Sequence, residues 1–137
     1  MRRSLLLHND TRELPLLVEF IDGLCRELGI AERESMSLQL AMEEAVVNIM
    51  QYAFAPDAQG NIEVYVECDA DRLVFRLEDG GVAFDPTDVA DVDVSLSASE
   101  REIGGLGIYI IRQIMDRVEY CRTNDRNILR LTKFIKR

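Results

Sequence analysis

Three short stretches carry residue types that could handle a charged ligand. Glu44 and Asn48 stand four residues apart in an amphipathic segment, so on a helix they share one face. A carboxylate beside a carboxamide suits a metal-bound water or a hard cation such as Mg²⁺. The second stretch is Asp79-Gly80-Gly81-Val82-Ala83-Phe84-Asp85-Pro86, directly after an alternating segment. An aspartate at a strand end can accept a hydrogen bond from a ligand amine, and Gly80 and Gly81 let the backbone turn and come close to it. The third is Gly104-Gly105-Leu106-Gly107, which opens an apolar segment. Glycines at a helix N-terminus leave unpaired N–H groups and a positive dipole end, a seat for phosphate. No Gly-Lys-Ser/Thr follows, so this is not a Walker A loop. Singly, each stretch has a plainer reading: a solvated helix face, a turn, a tightly packed helix start. Together they could hold the metal, the base and the phosphates of one nucleotide.

The elements around them follow from periodicity. Residues 3–8 read as a short apolar strand. Leu14, Leu17, Val18, Ile21, Leu24, Cys25 and Leu28 then follow helical spacing, with Asp10 or Thr11 as cap, Pro15 in the first turn and Gly29 as terminator. A second helix runs from about residues 31–35 to about Phe54, with Leu38, Met42, Val46, Ile49 and Ala53 as its apolar stripe. Glu44 and Asn48 lie away from that stripe. Ile62, Val64, Val66 and Cys68 alternate with polar residues, as do Leu73, Phe75 and Leu77, which predicts a hairpin about Asp69-Ala70-Asp71. Residues 85–103 are acidic, serine-rich and weakly patterned, the length of a functional loop. A deeply buried helix over Leu106–Met115 and two strands, 117–122 and 127–136, complete the chain. The expected class is α+β, a layer of helices on one face of a mostly antiparallel mixed sheet.

The chain has 137 residues, the size of one domain. Acids outnumber bases 25 to 16, for a net charge of −9. Such a chain is poorly suited to sequence-independent nucleic-acid binding or to anionic membranes. Cys25, Cys68 and Cys121 form neither a C-x-x-C motif nor an even set, the pattern of thiols in a reducing cytoplasm. The apolar run after Arg3 stops at His8, too short for a signal peptide. The longest uncharged stretch, residues 45–56, is 12 residues and too short to span a bilayer.

The three stretches in this order resemble the GHKL (Bergerat-fold) ATPases, and among them the small anti-sigma-factor serine/threonine kinases. Glu44 and Asn48 match an E-x-x-x-N box. Asp79, Gly81, Phe84, Asp85 and Pro86 match D-x-G-x-x-F-D-P. Arg101, Gly104, Gly105, Leu106, Gly107 and Ile108 match R-x-x-G-G-L-G-I. The likeness runs from about residue 4 to about residue 135.

The resemblance implies a single histidine kinase-like ATPase domain over 1–137, an α/β sandwich that binds ATP and Mg²⁺ beneath a lid at about 85–103. It implies Asn48 as Mg²⁺ ligand, Asp79 as acceptor of the adenine amine, and Glu44 as general base toward a serine or threonine hydroxyl. Gly81, Gly105 and Gly107 would bring backbone against the phosphates. Phe84, Gly104 and Leu106 would complete the pocket, with Arg101 at the outer phosphates. The implied partners are a sigma factor and an anti-sigma-factor antagonist of the STAS type, with no direct contact to nucleic acid or membrane. The implied assembly is a cytoplasmic homodimer. Two departures stand out: many relatives read His-Ala-Tyr or His-Gly-Tyr where this chain has Tyr52-Ala53-Phe54, and the 85–103 loop holds no lysine. The alternative is a nucleotide-gated binding module without significant transferase activity.

Overall fold

The computed structural model describes residues 1–88 and 105–135. Five strands form one sheet: β1 (Arg2–His8), β2 (Asn61–Cys68), β3 (Arg72–Asp79), β4 (Arg117–Thr123) and β5 (Arg126–Phe134). Their order is β1-β2-β3-β5-β4, and every pairing is antiparallel. Three helices, α1 (Leu14–Leu28), α2 (Glu32–Tyr52) and α3 (Gly105–Ile114), cover one face. The expected α+β two-layer class therefore holds, with no parallel pair among the described strands. The expected lid lies, beyond Asp88, outside the described residues.

Alternation decides which face each strand residue takes. Ile62, Val64 and Val66 of β2 and Leu73, Phe75 and Leu77 of β3 point at the helices and are buried. They meet Leu17 and Ile21 of α1, Leu38, Met42 and Val46 of α2, and Ile108 and Ile111 of α3. Each such side chain contributes about 1.5–3 kcal/mol by leaving water. The opposite sheet face is polar. One groove there, of about 370 Å³, is lined by Arg72, Arg76, Arg117 and Arg130 and holds none of the three motifs.

Local signals set the element ends. Gly29 stops α1 in a left-handed conformation (φ 72°) and returns its N–H to the last turn. Asp10 accepts from the Arg12 N–H at 2.9 Å, but it caps a short 3₁₀ turn at Thr11–Glu13 that precedes α1. Asn124 and Asp125 both adopt positive φ, 52° and 60°, as a two-residue hairpin between β4 and β5 requires. The sequence reading of α3 needs correction. Ile108 and Ile111 are buried, yet Ile110 and Ile114 are half-buried and Leu106 is 41% exposed. In a two-layer fold a helix is covered mainly from one side, so an apolar sequence all round does not make burial all round.

The three thiols differ sharply. Cys25 is fully buried, and that burial pushes its thiol up, against a lowering hydrogen bond with Ser35. Cys121 is exposed. A raised value in the folded state favours the protonated thiol, so this contribution to stability is present at neutral pH and fades only as pH rises through the raised value. Titration of the native protein with a chromogenic disulfide at pH 8 is expected to modify Cys121 at once and Cys25 only on unfolding. Prompt modification of Cys25 would contradict this core.

Candidate nucleotide site

Asp79 is the last residue of β3, opposite Ile62 of β2 and Asn127 of β5. Its inward register buries it completely. One carboxylate oxygen, Oδ1, accepts from the Gly81 N–H at 2.9 Å and from Asn127 Nδ2 at 3.0 Å. The other, Oδ2, is buried with no hydrogen-bond partner, alone in this among the described side-chain atoms. A buried, unpaired carboxylate oxygen is costly. Placed at a strand end, it is free to accept from a ligand donor.

The loop after Asp79 is fastened to the C-terminal end of α2. Val82 N donates to the Ala53 carbonyl at 2.8 Å. A Cβ on Gly81 would lie 2.3 Å from that same carbonyl oxygen. Glycine is thus required here for close approach, not for an unusual backbone, since neither Gly80 nor Gly81 has positive φ. Phe84 packs its ring against Tyr52 at 5.3 Å, and its N–H donates to Asn127 Oδ1 at 3.2 Å. Gly81→Ala is expected to lower stability by about 3 kcal/mol, because backbone must move to admit the methyl. Denaturant titration should show the midpoint falling with the slope kept; a change below about 0.5 kcal/mol would contradict the packing.

α2 carries the first stretch toward α3. A Cβ on Gly107 would lie 3.0 Å from Asn48 Nδ2, 3.3 Å from its Oδ1 and 3.1 Å from Glu44 Oε2. The Glu44–Asn48 face is therefore no solvated face: Asn48 is 7% exposed and Glu44 is half-buried. Among the described residues neither side chain has a hydrogen-bond or ion-pair partner. Asn48 lies five residues before Ala53, about 7.5 Å along the helix. One helix thus gathers Glu44, Asn48, Gly107 and the Asp79–Gly81 turn. Gly105 opens α3, and Leu106 beside it is partly exposed. Arg101 and Gly104 lie outside the described residues.

A family model for the histidine kinase-like ATPase domain matches residues 7–133. The chain belongs to the histidine kinase-like ATPase family. An ATPase domain implies an ATP site, and no helix of the described residues is long and apolar enough to cross a membrane. The chain is 31% identical over 136 residues to the serine-protein kinase RsbW of Listeria monocytogenes, covering 91% of this chain and 86% of that one. It is 30% identical over 119 residues to the serine-protein kinase RsbW of Bacillus cereus, covering 84% and 73%. In this ATPase domain Glu44 and Asn48, the Asp79–Gly81 turn and Gly107 lie along α2.

Sequence reading missed a second tier. Asn127 is 4% exposed and bonds to Asp79, Val82, Phe84, Tyr120 and Arg122. One signal was available. Asn127, Leu129 and Leu131 alternate, which puts a polar residue on the core face, where it must find polar partners.

Proposed function

We propose that this protein is an ATP-dependent serine/threonine kinase of the anti-sigma type. The observation that carries the reading is the orphaned Asp79 Oδ2 at the end of β3, with Glu44 and Asn48 packed against Gly107 farther along α2. The residues fit ATP and Mg²⁺. The unpaired oxygen calls for a donor such as an exocyclic amine, and Gly107 brings the start of α3 close against the polar ends of Glu44 and Asn48, neither of which has a partner among the described residues. No group of three or more His, Cys, Asp or Glu could hold a metal among the described residues. The Asn48 amide oxygen would then be a single protein ligand, which suits Mg²⁺ because it keeps waters and phosphate oxygens in its shell.

Bound Mg²⁺·ATP supplies the transferable phosphoryl group and the charge that stabilises its transfer. The chain's own residues bind and position. Asp79 Oδ2 accepts the adenine amine. The backbone at Gly81, Gly105 and Gly107 would lie against the phosphates, with Phe84 and Leu106 beside them; Gly104 and Arg101 are proposed from the motif match alone, since both lie outside the described residues. Glu44 takes the proton from a serine or threonine hydroxyl of the partner protein. The RsbW relatives are named serine-protein kinases, and the partners proposed here are a sigma factor and a STAS-type antagonist in the cytoplasm. Incubation with labelled ATP and a cognate antagonist should label the antagonist stoichiometrically. ATP-dependent complex formation without any label would instead favour the binding-module reading, to which the lysine-free 85–103 segment inclines.

A homodimer belongs to the same proposal. β1 is an edge strand with Leu6 51% exposed, and such an edge invites pairing with a second copy. Light scattering is expected to give twice the chain mass of 15.6 kDa. A monomer at high micromolar concentration would contradict it.

A further inference from the structure

We infer that Asn127 is the positioning residue for nucleobase discrimination, acting through Asp79 and itself held by Tyr120 and Arg122. This rests on the reading of Asp79 and its surroundings as an adenine-nucleotide site. Asn127 Oδ1 receives three donors: the Phe84 N–H at 3.2 Å, the Tyr120 hydroxyl at 2.5 Å and Arg122 Nη1 at 3.0 Å. Its Nδ2 donates to the Val82 carbonyl at 2.8 Å and to Asp79 Oδ1 at 3.0 Å. The five contacts agree on one orientation. A flipped amide would set its NH₂ against three donors and its oxygen against two acceptors.

That orientation decides which oxygen of Asp79 meets a ligand. With the Gly81 N–H and the Asn127 amide both on Oδ1, only Oδ2 remains. A 6-amino purine brings a donor to it. A 6-oxo purine brings a second acceptor, which a buried carboxylate oxygen repels. Sites built around an unpaired polar group reject the mismatched analogue strongly. Arg122 extends the clamp, since its Nη1 also donates to the Gly81 carbonyl at 3.1 Å. One guanidinium on β4 therefore ties the glycine turn to the amide on β5.

Aspartate at position 127 removes the donor to Asp79 and places two carboxyl groups in contact. Such a pair holds one proton; with the fixed amide donor gone from Oδ1 that proton can reside on Asp79 Oδ2, which then donates to a 6-oxo group, so discrimination falls. Tyr120→Phe keeps the ring and removes one of the three donors that lock the amide.

The test is calorimetric titration of the whole protein, in Mg²⁺, with ADP and with IDP, whose base carries oxygen in place of the 6-amine. The wild-type chain is expected to prefer ADP by about 100-fold or more. Asn127→Asp should narrow that preference at least tenfold, and Tyr120→Phe should narrow it severalfold in a fold kept intact by the retained ring. A role in folding alone would weaken both nucleotides together and leave the ratio unchanged. An unchanged ratio in both variants, with ADP still preferred by the wild type, overturns the role of Asn127 and leaves the nucleotide site standing. Failure of the wild type to bind either nucleotide overturns the site reading and this inference with it.

Discussion

Asp79→Asn is expected to fold normally and to lose about 100-fold in affinity for ADP. The substitution keeps the shape and keeps an acceptor for the Gly81 N–H and the Asn127 amide. It replaces Oδ2, the unpaired oxygen, with an NH₂. The adenine amine then meets a donor where it needs an acceptor. Loss of one hydrogen bond to a charged group costs about 1.5–3 kcal/mol, and 100-fold corresponds to about 2.7 kcal/mol. Stability should move little, because the change removes a buried charge without altering volume. Calorimetry with ADP, alongside a thermal melt, separates the two effects. A variant that binds ADP as tightly as the wild type would show that Asp79 does not read the base.

The second large effect concerns the chemical step. Glu44→Gln is expected to slow phosphoryl transfer to the antagonist by about 10²–10⁴-fold, the usual contribution of a positioned general base. ADP affinity should stay within about threefold, since the amide keeps the size of the side chain beside Gly107 and is proposed to touch the incoming hydroxyl, not the nucleotide. The split between rate and affinity is the informative result. Equal loss in both would make Glu44 part of the binding site, and an unchanged single-turnover rate would remove it as base.

The residues show why some of this was readable in advance. Ile62, Val64 and Val66 announce a half-buried strand because side chains alternate, and Gly29 announces a helix end because its left-handed φ disfavours other residues. The three motifs were visible because they are contiguous. Their convergence was expected only from their combination and from the resemblance, because it depends on Gly107 packing on Asn48 across 59 positions of chain. Gly81 was singled out for turning and for close approach to a ligand, whereas its requirement is the Ala53 carbonyl behind it. Asn127 escaped because a lone polar residue in a strand acquires meaning only from partners that are 5 to 48 residues away in sequence. α3 misled for a related reason: hydropathy reports what a segment tolerates, and the layer arrangement decides what it covers. Arg101 and Gly104 were legible as motif members, and their surroundings lie outside the described residues.

The measurement that bears most directly on the shared site is titration of the folded wild-type protein with ADP and ATP in Mg²⁺, read by heat and by melting temperature. Heat fitting one nucleotide per chain is expected, together with stabilisation of about 2.7 kcal/mol at 100 times the dissociation constant. For a domain of this size that is a rise of roughly 8 °C. A folded chain that gives no heat and no shift with either nucleotide would contradict the account.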